Sequence, residues 1–149
     1  MLKPILLVED NPKDLELTLL ALAKSQLANP VVVARDGAEA LGYLRCEGEF
    51  ASRERGHPAV ILLDLKLPKL DGIEVLQAIR ADGSLQRLPV VMLTSSREEK
   101  DLVRSYDLGV NAYVVKPVGF HQFVEAVREL GVFWAVLNEP PPESTKPRS

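Results

Sequence analysis

Residues Ala59–Gly72 read AVILLDLKLPKLDG. The first five, Ala59 to Leu63, are apolar without interruption, and the sixth is an aspartate, Asp64. A run of this kind reads as a strand buried on both faces, as in a parallel sheet. A carboxylate at the tip of such a strand calls for a partner or a task.

Three more runs have the same character: Ile5–Val8, Val31–Ala34 and Val90–Leu93. A weaker fifth is Ala112–Val115. Helical patterns lie between them. The first carries Leu15, Leu19 and Leu22 at helical spacing, opened by Asn11 as N-cap with Pro12 at the first helical position. A second starts near Asp36, with Glu39 three residues on, and a third carries Ile73, Leu76 and Ile79. The fourth opens on Ser96 and Glu99 at capping-box spacing and is expected to end at Gly109. The last runs from about Phe120 to Leu137. Strands alternating with helices predict a doubly wound α/β domain, because parallel strands require crossover connections. Two segments stand outside the alternation. Arg45–Pro58 is a polar insertion, either a surface loop or an extension of the second helix. Residues 138–149, NEPPPESTKPRS, are expected to be a flexible tail after a domain of residues 1–137.

The bulk properties agree with one domain. The chain has 149 residues, 46% hydrophobic and 26% charged, and no internal repeat. A net charge of −3 argues against a nucleic-acid partner held by a basic surface. The single cysteine, Cys46, suits a reducing cytoplasm, and the short apolar start is neither a signal peptide nor a membrane span.

Ligands of open parallel sheets bind beyond the carboxyl ends of the strands. The first strand ends in Glu9-Asp10, the third in Asp64, the fourth in Thr94-Ser95 and the fifth in Lys116-Pro117. Asp36, after the second, is assigned to helix capping. Glu9, Asp10, Asp64, Thr94 and Lys116 should therefore converge. Three carboxylates repel one another more than a single lysine can neutralise, and Mg²⁺ suits such an oxygen-only donor set. A cation, a lysine and a carboxylate nucleophile suit phosphoryl transfer, with Asp64 as the acceptor that becomes an aspartyl phosphate.

The segments LLVEDN, LLDLKLPKLDG, VVMLTSS and NAYVVKP, in that order, resemble the receiver domains of two-component response regulators, over about Leu2 to Leu137. The resemblance implies a flavodoxin-like, five-stranded parallel sheet with five helices. It implies that a sensor histidine kinase phosphorylates Asp64, that Asp10 ligates Mg²⁺ directly and Glu9 through water, and that the backbone carbonyl of Lys66 is a third protein ligand. Thr94 would hydrogen-bond the phosphoryl group, Lys116 would pair with it, Tyr113 would change rotamer as Thr94 moves, and Lys116-Pro117 would be cis. Family members often carry a small polar residue where this chain has Lys66; its long cation would either tune phosphate lifetime or point into water. The insertion, IRADGSLQRLP and the FHQFVEAV…FW ending resemble more specifically the single-domain regulators paired with bacterial phytochromes, which implies a red-light photoreceptor kinase.

Nothing foldable is expected after Leu137, so output should pass through protein contacts or onward phosphotransfer rather than an attached DNA-binding domain. The last helix carries more apolar area than packing on the sheet needs, which predicts a homodimer contact at Phe133, Trp134 and Leu137. Two other readings share the residues. A phosphohydrolase of the haloacid-dehalogenase class would place its nucleophile on the first strand with an aspartate two residues on, whereas here the second neighbour of Asp64 is Lys66. A phosphorylation-independent scaffold would have no need of the acid, hydroxyl and lysine set. The expectation is therefore a regulator rather than a turnover enzyme.

Overall fold

The structure, a computed structural model, describes residues 3–25, 29–54 and 56–130. Its elements alternate: β1 (Ile5–Val8), α1 (Pro12–Lys24), β2 (Val31–Ala34), α2 (Gly37–Arg45), β3 (Val60–Asp64), α3 (Gly72–Ala81), β4 (Val90–Thr94), α4 (Arg97–Ser105), β5 (Ala112–Val115) and α5 (Phe120–Leu130). The strands form one parallel sheet in the order β2-β1-β3-β4-β5. This is the flavodoxin-like doubly wound fold. The chain turns one way from β1 to β2 and the other way from β3 onward, so the crevice opens beyond the ends of β1 and β3.

The apolar runs fill two layers. Leu6, Val8, Ile61, Leu63, Val90 and Met92 face α2 and α3, together with Leu41, Leu76 and Ile79. Ile5, Leu7, Val60, Leu62, Val91 and Leu93 face α1 and α5, together with Leu22, Phe123 and Ala126. Both faces being covered explains why these strands do not alternate.

Caps set the helix starts. Asn11 Oδ1 accepts from the Lys13 and Asp14 amides, and Asp36 Oδ1 accepts from the Glu39 amide. Asp71 and Glu74 form a reciprocal capping box on α3 that the sequence reading did not single out. The fourth helix is shorter than expected. It stops at Ser105 because Asp107 already turns left-handed, at φ 52°, two residues before Gly109 does so at φ 65°. The insertion does not extend α2. Cys46, at φ 56°, ends that helix, and Gly48–Phe50 form a single 3₁₀ turn. Phe50 then packs edge-on against Tyr43, and Arg53 stacks 4.0 Å over the same ring while donating from Nε to the Tyr43 carbonyl.

The loop from β3 to α3 is drawn tightly back. The Gly72 amide donates to the Leu65 carbonyl at 2.7 Å, and a β-carbon on Gly72 would meet the Asp64 carbonyl oxygen at 2.5 Å. Only glycine allows the start of α3 to lie against the strand end that carries Asp64. Gly72→Ala is expected to cost about 1–3 kcal/mol in urea unfolding, since backbone rather than a yielding side chain blocks the methyl. An unchanged midpoint would contradict this packing.

Candidate functional site

The register brings the polar strand ends to one edge. Glu9 and Asp10 follow β1, Asp64 closes β3, Thr94 closes β4 and Lys116 follows β5. Glu9, Asp64 and Thr94 are 0%, 3% and 0% exposed, and Asp10 faces solvent. One carboxylate oxygen from each of Glu9, Asp10 and Asp64 lies within 4.8 Å of the others. Lys116 Nζ reaches into this cluster. It donates to Asp14 Oδ2 at 2.8 Å, Asp64 Oδ2 at 3.0 Å and Glu9 Oε1 at 3.4 Å. The Lys116-Pro117 peptide is cis.

The electrostatics follow from burial with too little positive charge. Burial, then hydrogen bonding to and repulsion from Asp64, push the Glu9 carboxyl up from an ordinary 4.5 to about 8; Lys116 and the Asn11 amide oppose this. For Lys116, burial favours the neutral amine, but hydrogen bonds to Asp14 and Asp64 and the attraction of Asp64 and Glu9 outweigh it, so its pKa rises. The ammonium is held firmly charged while Glu9 retains a proton near neutrality. Such a cluster is short of cations and would release that proton to a metal. Thr94 adds a second unmet demand. Its Oγ1 is buried without a hydrogen-bond partner among the described residues, a costly state for a hydroxyl.

Residues 5–128 match the family of response regulator receiver domains. The chain belongs to that family. The receiver is 41% identical over 132 residues to response regulator Rcp1 of Synechocystis sp., covering 89% of this chain and 88% of that protein. Among solved structures it resembles the bacteriophytochrome response regulator RtBRR, with 68% identity, a TM-score of 0.88, and 98% and 88% of the two chains covered. It also resembles the phosphorylated cyanobacterial phytochrome response regulator RcpA (46% identity, TM-score 0.71, 92% and 95% covered). A Mn²⁺-bound form of response regulator Rcp1 matches at 38% identity and a TM-score of 0.70, over 91% and 94% of the chains.

Within the receiver, Tyr113 is half-buried on β5, beside Met92 in register and so diagonal to Thr94 on the same sheet face. Lys100 Nζ and the Arg104 guanidinium of α4 lie 5.4 Å and 5.8 Å from its ring centroid. The Lys66 side chain is largely exposed to water, one of the two expectations for it. It pairs with Glu99 Oε2 on α4 at 3.1 Å. Asp14 was missed by sequence reasoning, although it makes the shortest contact with Lys116. Asp14 sits in the first turn of α1, where an acid reads as a partner of the helix dipole. The expected dimer contacts Phe133, Trp134 and Leu137, the domain end at residue 137 and the tail 138–149 lie outside the described residues.

Proposed function

We propose that this receiver accepts a phosphoryl group on Asp64 from the phosphohistidine of a sensor histidine kinase. The supporting observation is the placement of the Asp64 carboxylate 3.0 Å from Lys116 Nζ inside a three-carboxylate cluster. An Asp64 oxygen attacks phosphorus, the new P–O bond forms, and the P–N bond breaks with the electron pair leaving on the imidazole. Lys116 pairs with the phosphoryl oxygens, and the Thr94 hydroxyl gains the partner it lacks by donating to one of them. Tyr113 follows Thr94 as the switch residue. The donor set fits Mg²⁺: Asp10 and Asp64 as direct ligands, Glu9 through water and the Lys66 carbonyl as the remaining protein ligand. Bound there, Mg²⁺ neutralises charge on the transferring oxygens.

The likeness to bacteriophytochrome response regulators supports a phytochrome as the kinase. The chemistry is confined to gaining and losing one phosphoryl group, with signalling by altered protein contacts or onward transfer rather than substrate turnover. No helix of the described residues is long and apolar enough to cross a membrane, and the protein is proposed to act in the cytoplasm as a homodimer. Sedimentation giving a monomer at micromolar concentration counts against the last point.

Incubation with acetyl phosphate and Mg²⁺ should give a single phosphoryl adduct by intact mass, absent from Asp64→Asn. Steady hydrolysis of a generic phosphomonoester, without a stoichiometric adduct, would revive the phosphohydrolase reading.

Glu9 also sets a pH dependence. Its pKa is raised on folding, so the metal-free fold is favoured by this group below about pH 4.5 and loses that advantage as pH rises through about 8. Mg²⁺ requires the ionised carboxylate. Affinity for Mg²⁺ is therefore expected to rise by about tenfold from pH 6.5 to 8.5, with proton release on binding. Calorimetric titration in buffers of different ionisation enthalpy checks both; equal affinity and no released proton would contradict the assignment.

A further inference from the structure

The Glu99 carboxylate joins three segments. Oε2 pairs with Lys66 Nζ at 3.1 Å, two residues beyond Asp64. Oε1 accepts the Ser95 amide at 2.7 Å, one residue beyond Thr94. The Glu99 amide in turn donates to Ser96 Oγ at 3.2 Å. The Glu99 side chain is 15% exposed, whereas that of Lys66 is 75% exposed. The carboxylate is thus fixed by backbone, and the ammonium is free to leave it. Below this junction α4 is lightly held: of its nine residues only Val103 is buried. A helix with so little apolar contact is one whose position a polar tether can bias.

We propose that Glu99 is a positioning residue that, through Lys66, latches the start of α4 to the acceptor loop. A phosphoryl group on Asp64 draws the Lys66 ammonium away and releases α4. This inference rests on Asp64 being the acceptor. The pairing is weak, as expected of an exposed ammonium, and that suits a latch. New negative charge two residues from Lys66 competes with Glu99 for the same cation, and α4 shifts only by the difference in that interaction. The latch also answers why a long cation stands at position 66: from there it spans to α4.

The test is amide hydrogen exchange over residues 97–105 in the full chain, with and without acetyl phosphate and Mg²⁺. It compares the natural protein, Glu99→Gln, Lys66→Met and the double variant. Glu99→Gln keeps an oxygen for the Ser95 amide, and Lys66→Met keeps the bonds of Glu99 to Ser95 and Ser96, so a mere capping role would be spared in both. Each single variant should exchange about two- to fivefold faster than the natural protein before phosphorylation. The double variant should be no faster than either single one. Phosphorylation should then accelerate exchange by a smaller factor in the variants than in the natural protein. Unchanged exchange in both single variants, or an equal acceleration in all four proteins, overturns the latch while the adduct still forms. Absence of any adduct on the natural protein overturns the acceptor assignment and the latch with it.

Discussion

Lys116→Met is expected to lower the stability of the metal-free receiver by about 3–5 kcal/mol at pH 7.5, measured by urea unfolding. The side chain is nearly buried and donates to Asp14, Asp64 and Glu9. Removing it leaves acids with no counter-charge, and stranding buried charge costs more than the pair itself contributes. The pH dependence follows from the signs. The pKa of Lys116 is raised on folding, so its contribution is fully present below its ordinary value of 10.5 and declines only as pH rises beyond that. Across pH 5–8 the natural protein therefore keeps this contribution. Millimolar Mg²⁺ at pH 7.5 should restore part of the loss, because it supplies the missing positive charge. A variant that unfolds at the same urea concentration as the natural protein would show that Lys116 is not the cluster's counter-ion.

Asp64→Asn should move two properties in opposite directions. Removing one carboxylate relieves Glu9, whose raised pKa owes its second and third causes to Asp64. The metal-free variant should be more stable than the natural protein, and increasingly so as pH rises through 8, where Glu9 must ionise. Each unit by which Glu9 falls back toward its ordinary pKa returns about 1.4 kcal/mol. The same substitution removes one of three oxygens from the cluster. Mg²⁺ affinity should fall by at least about tenfold, the lower end of what even outer-shell partners contribute. A more stable protein that binds its cation worse is what a functional site held against its own stability should give. A less stable Asp64→Asn variant with undiminished affinity would mean that Asp64 is a structural acid.

Much of this was legible in the residues, for local reasons. Val60–Leu63 and Ile5–Val8 announce doubly covered strands because nothing polar interrupts them, and the helix starts at Asn11, Asp36 and Ser96 announce themselves because a cap acts within three residues. The acids and the lysine at the strand ends could be gathered from the sequence, since parallel topology alone brings those ends together. What remained hidden depended on the direction of a side chain. Arg80 donates to the Leu88, Leu108 and Gly109 carbonyls and ties α3 to the loop before β5, yet its position on an amphipathic helix marks it as an ordinary surface cation. Asp14 looks like a first-turn acid that favours the helix dipole, and it turns inward to Lys116 instead. Ser96 and Glu99 have capping-box spacing, but the Glu99 carboxylate takes the Ser95 amide and the Lys66 ammonium, which are brought to it by different loops. Asp107 ends α4 early by adopting a left-handed turn that glycine would have signalled more clearly.

The central claim concerns one oxygen nucleophile, and it can be located chemically. An aspartyl phosphate is reduced by borohydride at its activated carbonyl, which converts that residue to homoserine, whereas an unmodified carboxylate is untouched. The receiver, treated with acetyl phosphate and Mg²⁺, reduced and mapped by peptide mass, should carry homoserine at position 64 and at no other acid, and none when Mg²⁺ is withheld. Homoserine at Asp10 or Asp14, 5-hydroxynorvaline at Glu9, or an unreduced residue 64 in a protein that has gained a phosphoryl group, would contradict the account.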